Sequence, residues 1–461
     1  RGRSEYTNGG PGTVYIEQKG VDTLNEGLLY VDNNGVNSLS AGLVEGDYVF
    51  KEIRQNRYGH LDVLGQNSSL TVSNANSLKG DSTISKLNTF GTFNYTGGGT
   101  FHINEIDLNI KGDIGGVTDF TVGDLALGKL TLYANTWAKS GEYTFGTVRI
   151  SQNGTLNLIS HDTGASGDGY AGSYGMTLIA NDLTIETGGL INADGYGHGT
   201  ARGLGITTSP GQRGGAFGGY GGNNTSLPYG NVYTPLNLGS HGGGGAIKLV
   251  VDNELRLDTG GIISSNARIS TPYNNGGGSG GSIWIDTKIL TSNGVISAIG
   301  GNGNDNGAGG AGGRVAVYYE TYSGDMLDLS LKKITANGGL RGRSEYTNGG
   351  PGTVYIEQVG VDNSNGGLLY IDNNFNSDSY GMDFSPGNWS FGSVYIGGNI
   401  KLRVLSDSTY NDTGRGVIFN NISGNFVLEE GALIDGIGQG FAPGEGPGAG
   451  SVGSTELGGE G

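Results

Sequence analysis

Apolar residues in this chain fall in short alternating runs, and the runs recur behind stretches of glycine. Four of them read GGGGAIKLVV (242–251), GGGSGGSIWI (276–285), GGAGGRVAVYY (309–319) and GGPGTVYIEQ (349–358). Such alternation puts apolar side chains on one face of a β-strand. The strand positions Ile247, Ile283, Val315 and Val354 are 36, 32 and 39 residues apart. A second phrase recurs among them: LTIETGGLINADG (183–195), LRLDTGGIISSN (255–266), ILTSNGVISAIGG (289–301), LKKITANGG (331–339) and FVLEEGALIDGIG (426–438). It reads as strand, tight corner, strand, then a glycine-rich excursion. Gly188, Gly260, Asn293 and Gly431 stand at one shared offset within it. Gly and Asn are the residues that accept φ > 0 at such a corner. No stretch of a dozen residues holds a 3.6-residue apolar period, so the pattern predicts an all-β chain.

A unit of about 35 residues cannot bury its own apolar face. Stacked units cover one another, with strands paired in parallel along the stack. The expectation is a parallel β-helix, or β-solenoid, built of coils of about 32–39 residues with long Gly-rich loops.

A longer repeat overlies the short one. RGRSEYTNGGPGTVYIEQ occupies residues 1–18 and again 341–358, and 29 of the 34 positions from Arg1 to Asn34 recur from Arg341 to Asn374. Near-identity at a separation of 340 residues marks a modular, extended protein. It divides the chain into residues 1–340, one long repeat, and 341–461, a partial and shortened second copy, with both ends expected to fall mid-repeat. TFGTVRISQNGTLNLIS (144–160) also resembles SFGSVYIGGNIKLRVLS (390–406) at an offset of 246, which implies that the second copy has lost 94 residues, close to three coils. A quasi-one-dimensional stack tolerates such a loss, whereas a closed barrel or sandwich does not.

Composition sharpens this picture. Glycine contributes 95 of 461 residues and hydrophobic residues only 34%, which disfavours a large compact core. A formal charge of −17 argues against nucleic acid, whose phosphates require clustered Lys and Arg. The acidity serves solubility through self-repulsion, or gathers divalent cations. With no cysteine there is no disulfide, thiolate metal site or Cys nucleophile. No run approaches the ~18 apolar residues of a membrane helix.

The phrases xLxxxxGGxIxAxG and GGGSGGSIWI resemble repeats of right-handed parallel β-helix proteins of bacterial surfaces, in particular large Gly-rich exported proteins and, more loosely, passenger and haemagglutinin-type adhesins. The resemblance implies a right-handed β-helix acting as a rigid stalk, adhesin or fibre, outside the cell or on its surface. The long Gly-rich loops depart from the adhesin pattern and imply a lateral layer or contacts to neighbouring chains. Expected partners are other copies of the chain along and beside a fibre, with cell-surface glycans as the alternative.

Candidate chemistry is sparse. β-Helix polysaccharide-cleaving enzymes need clustered carboxylates, whereas Asp194, Asp258, Asp286 and Asp435 are scattered along the sequence. His60, His102, His161, His198 and His241 show no metal-ligand spacing. GDGYAGSYG (167–175) and GNGNDNGAGG (301–310) are oxygen-rich turns of the kind that suit Ca²⁺, without the nonapeptide calcium repeat. No catalytic, cofactor or metal residue is therefore assigned, and a non-catalytic role is expected. Tyr6, Tyr15 and Tyr30 recur as Tyr346, Tyr355 and Tyr370, near Tyr318 and Tyr319. Equivalent positions on stacked strands lie about 4.8 Å apart, so an aromatic ladder is expected, with a sugar-binding face as the alternative.

Overall fold

The structure is a computed structural model of the chain. It describes residues 10–19, 26–37, 39–74, 77–81, 85–124, 126–134, 141–163, 173–206, 212–268, 276–374, 376, 381–406, 416–420 and 422–440. Among these the protein is nearly all β, with thirty-four strands and one 3-10 turn at Leu329–Leu331.

From Ala41 to Val122 each round of the chain visits three sheets in turn, and from Gly128 to Thr335 it alternates between two. Ala41–Leu43, Asp47–Phe50 and Glu52–Asn56 enter three different sheets. Leu61–Val63, Ser69–Val72 and Leu78–Lys79 then pair with them in the same order and in parallel. Successive rounds stack an aliphatic ladder. Ala41, Leu61, Leu87, Leu108, Leu130, Leu156, Ile191, Ile263, Ile296 and Ile334 are register partners, each resting on the next. All ten are buried, and each Leu or Ile rung contributes about 1.5–3 kcal/mol of burial. The adjacent position carries a polar ladder: Asn88 donates to Asp62 at 2.6 Å, Asn157 to Thr131 at 3.1 Å and Asn192 to Asn157 at 2.8 Å. The alternation seen in the sequence is therefore a two-sided device, with aliphatic rungs on one face and amide rungs on the other.

The expected registers of the glycine-preceded runs are present. Ile247 pairs with Ile283, Ile283 with Val315 and Val315 with Val354. The 32–39-residue spacing holds from Ile247 to Val354, whereas the round before it, from Met176 to Ile247, takes 71 residues. Towards the N-terminus the rounds are shorter: rungs from Ala41 to Leu156 follow at 20, 26, 21, 22 and 26 residues, because their corners lack glycine-rich excursions. Gly188, Gly260 and Gly431 turn their corners with φ near +84°. Asn293 does not, because its corner has two residues in place of four. Leu257 pairs with Ser292 and Ile262 with Val295, so two residues between Ser292 and Val295 match four between Leu257 and Ile262. Asn399, at φ 61°, is a left-handed corner residue at the level of Gly431 that the sequence pattern missed.

Among the described residues all strand pairings but two are parallel. The exceptions are hairpins, and each lies within a copy of the 34-residue repeat. Gly12–Ile16 pairs antiparallel with Leu28–Asp32, and Thr353–Gln358 antiparallel with Leu368–Ile371. The second hairpin joins two stacks through one continuous 11-stranded sheet. Beyond it, Leu369 pairs with Val394 as Leu29 pairs with Ile53. By position in the stack, residues 390–396 therefore correspond to 49–55 rather than to 144–150.

The two stacks keep separate cores on opposite faces of that sheet. Val354, Ile356 and Tyr370 belong to the first core. Tyr355, Leu369 and Ile371, their neighbours in sequence, belong to the second with Phe384, Phe391, Val394 and Leu402. Strand direction and inner face thus reverse together at the hairpin.

Candidate functional site

Two features of the chain have no counterpart in a plain strand stack, and they meet at the second hairpin. The first is the glycine-rich sequence itself. Along residues 309–313, the N–H groups donate in turn to Thr347, Gly301, Gly215, Gly350 and Ala298. The carbonyls accept from Gly222, Gly339, Gly280, Gly218 and Thr353. A β-strand bonds to two neighbours in one plane, whereas this segment bonds to five surrounding stretches of backbone. Glycine is required because of the close approach. A Cβ at Gly309, Gly310, Gly312 or Gly313 would land on the carbonyl oxygen of Gly339, Gly278, Ala336 or Gly281. None of these four glycines has a positive φ, so conformational freedom is not their purpose.

The glycine-rich stretches were expected to be loops extending sideways. Residues 307–314 and 276–283 are instead buried throughout. Burial is tolerable at 309–313 because every peptide group there finds a partner. The segment 301–310, read as a calcium-type turn, is part of this layer. Residues 167–172 of the other such segment lie outside the described residues.

The excursion between Asn192 and Ala246 carries the layer to the second stack. The Tyr220 hydroxyl donates to Asp383, and Arg403 donates to Tyr220 at 2.6 Å and to Asp383 at 3.0 and 2.8 Å. Burial first, then the Asp383 carboxylate, pushes the Tyr220 pKa up. The Tyr233 hydroxyl donates to the Ser390 carbonyl at 2.9 Å, and its ring packs edge-on against Tyr355 at 5.0 Å. Arg314, at the start of the adjoining strand, is buried with no carboxylate partner among the described residues. It donates to the Tyr229 carbonyl and to Thr353 Oγ1 at 2.9 and 3.0 Å, and burial pulls its pKa down to about 10.

The second feature is the hairpin. In both copies one tyrosine pins the turn. The Tyr15 hydroxyl donates to Glu17 at 2.6 Å and accepts from Gly27 N–H at 2.9 Å. Tyr355 repeats this with Glu357 at 2.5 Å and Gly367 at 3.0 Å. Tyr30 and Tyr370 donate to Asp32 and Asp372 at 2.7 and 2.9 Å. The repeated tyrosines are therefore chiefly hairpin fasteners. Stacking of the ladder type is seen at Tyr370 and Tyr395, whose rings lie 5.1 Å apart; the residue that pairs with Tyr30 is Arg54. Tyr6 lies outside the described residues, and Tyr346 donates to Gln212 at 2.9 Å.

The candidate carboxylates do not converge. Asp194 accepts from Asn266 of the next layer at 2.6 Å, Asp258 pairs with Arg256 at 2.9 Å and Asp435 with Lys401 at 2.6 Å. Asp286 has its pKa raised by burial. Among the described residues no three His, Asp or Glu side chains form a group that could hold a metal. An open cleft of about 600 Å³ is lined by Glu142, Tyr174, Met176, Leu236 and Asn237. Among the described residues Glu142 is the one carboxylate in that lining, where glycosidic cleavage uses two. Among the described residues no helix is long and apolar enough to cross a membrane.

The histidines are structural in their contacts. His60 accepts from Lys86 N–H, His102 lies 3.8 Å from Asp124, His198 contacts Asp162 at 2.9 Å, and His161 packs on Tyr174. His241 is buried in the glycine layer, at φ 62°. Its Nδ1 accepts from Ala201 N–H at 3.0 Å, so the ring is neutral with its proton on Nε2, facing Gly276. Burial pulls its pKa below the ordinary 6.5, as it does for His60. The unfolded chain then takes up protons first, so stability is full above about pH 6.5 and falls as pH drops below it. We expect the thermal midpoint to fall on acidification from pH 7 to 5.5, and to fall less in His241→Asn. Asn tolerates φ > 0 and offers an uncharged acceptor in place of Nδ1. Equal acid sensitivity in both proteins would remove His241 from this role.

No family model, curated protein or solved structure matches this chain.

Proposed function

We propose that this chain is a non-catalytic structural segment of a long, modular bacterial fibre, filament or sheath, located outside the cell or on its surface. In this reading each stack is a parallel β-solenoid, right-handed as the family resemblance implies, and copies of the chain are its partners. The observation that carries it is the hairpin. A 34-residue sequence that recurs almost unchanged is the element at which one stack ends, the sheet continues and a second core begins on the other face. Such a joint adds repeat to repeat without leaving an open strand edge between them. Paired layers on both sides and a cross-bonded glycine layer suit a load-bearing rod with no disulfide and no obligatory cofactor.

An adhesin stalk or glycan-binding module is the second reading. It requires an exposed aromatic platform, whereas Tyr355 and Tyr370 are buried and the exposed copy, Tyr15, has its hydroxyl engaged by Glu17 and Gly27; the fibre reading therefore ranks first. A polysaccharide-active enzyme ranks third, since it would have to work without paired carboxylates at the sites above. Fibre diffraction and electron microscopy of the native assembly test the proposal. We expect long filaments with a meridional spacing of about 4.8 Å along the filament axis. A spacing perpendicular to that axis, or a short monomeric particle, would reject the fibre and favour the adhesin.

A further inference from the structure

The two hairpins are an internal control. Their sequences are nearly identical and so are their fastenings, yet their surroundings differ. In the second copy, Val354, Tyr355 and Ile356 are 2%, 0% and 7% exposed. In the first, Val14, Tyr15 and Ile16 are 53%, 44% and 55% exposed. The hairpin interior does not cause the difference, because Tyr15 packs 6.1 Å from Phe50 as Tyr355 packs 6.2 Å from Phe391. The cause is what lies beyond the outer strand. Thr353–Gln358 has Arg314–Gly324 paired along its far edge and Tyr233 across its face. Among the described residues Gly12–Ile16 is the edge strand of its sheet.

The two faces sort the same way. Tyr15 lies opposite Leu29, on the side of the first core, as Tyr355 lies opposite Leu369 on the side of the second. Val14 and Ile16 point away from that core. Their counterparts Val354 and Ile356 close the far end of another one, that of the first stack. Three consecutive exposed apolar side chains on an edge strand are a liability unless something covers them.

We propose that Gly12–Ile16 is the docking edge for another copy of the same repeat placed directly upstream in the polypeptide. Its last rung would have the sequence of Arg314–Gly324, and its glycine-rich excursion would bring a counterpart of Tyr233 over Tyr15. Val14 and Ile16 then close the upstream core as Val354 and Ile356 close the first. The proposal rests on the modular reading above and adds the partner and its register: Val315 opposite Val14, and Val317 opposite Ile16, as they lie opposite Val354 and Ile356. A separate molecule of this chain fits less well, because its Arg314–Gly324 edge is already filled by its own Thr353–Gln358. The Tyr220 clamp is not reproduced, since Gly42 and Asp62 stand where Asp383 and Arg403 do. The strand pairing and the Tyr233 contact carry the fit.

The chain contains no cysteine, so single introduced thiols report burial cleanly. Ile16→Cys and Ile356→Cys would be labelled with a maleimide in the 461-residue chain. Ile16→Cys would then be labelled in a longer chain carrying a second copy of residues 1–340 before Arg1. In the 461-residue chain the thiol at 16 should react on the order of a hundredfold faster than that at 356; in the longer chain it should slow to match. Gly12→Ala gives a second readout that does not depend on thiols: it should be harmless in the 461-residue chain and destabilising in the longer one. Fast labelling at 16 and a harmless Gly12→Ala in the longer chain would overturn the proposal. So would slow labelling at 16 in the 461-residue chain that depends on protein concentration, which would place the partner in a second molecule. Filaments failing to form while thiol 16 becomes protected would reject the fibre but keep the docking edge.

Discussion

Gly352→Ala is expected to destabilise the protein by about 3 kcal/mol or more, while Gly12→Ala changes stability by less than about 1 kcal/mol. The two glycines occupy the same position in the 34-residue repeat. A methyl group at Gly352 would fall on the Gly313 carbonyl oxygen, with the Gly312 and Gly313 carbonyl carbons close behind. All of these are backbone atoms held by the cross-bonded layer, so no side-chain rotation can relieve the overlap. Gly352 donates to the Ala336 carbonyl and the adjacent Thr353 to the Gly313 carbonyl. Moving either backbone would therefore leave buried peptide groups unpaired, at about 1–3 kcal/mol each. At Gly12 a methyl group meets nothing within 4 Å. Neither glycine has a positive φ, so alanine adds no backbone strain and at Gly12 gains slightly from reduced unfolded-state entropy. Chemical denaturation of both variants measures the difference. Equal effects would mean that the glycine layer is not close-packed around Gly352.

Much of the stack was legible because aliphatic alternation carries register. Ile247, Ile283, Val315 and Val354 could be aligned by eye, and they pair in that alignment. Gly188, Gly260 and Gly431 could be placed at corners because a left-handed corner restricts the choice of residue. Other features were hidden for physical reasons. A period of two is the same read in either direction, so nothing in GTVYIEQ announces that Thr353–Gln358 meets its successor antiparallel. Asn293 shares its offset with Gly260, yet a corner two residues shorter needs no left-handed residue. Glycine is the least informative letter of all. It is used for corners, for linkers and for close approach, and the run 309–313 reads alike in each case until its neighbours are known. The burial of the hairpin was illegible in principle, since nearly identical sequences are buried in one copy and exposed in the other.

Residues 309–313 are expected to be among the slowest-exchanging and most protease-resistant parts of the chain. Glycine-rich composition alone predicts the reverse, a flexible stretch cut first. The five N–H groups and five carbonyls bond to ten positions in five separate stretches of backbone. Exposing any of them requires this segment to leave the centre of the layer. That movement breaks contacts to residues 214–222, 277–281, 298–301, 336–339 and 347–353 together. Local opening is thus nearly as costly as unfolding the C-terminal part of the first stack, and exchange there should proceed only through that larger event. The hairpin loop at 359–366 is the natural comparison, because it is described, largely exposed and in sequence close by, with Val361 71% exposed. Hydrogen exchange read by mass spectrometry should find 309–313 slower than 359–366 on the order of a thousandfold or more. Limited proteolysis should cut within 359–366 before it cuts within 301–313. A first cut inside 309–313, or exchange there as fast as at Val361, would show that the bonds of the layer do not persist in solution.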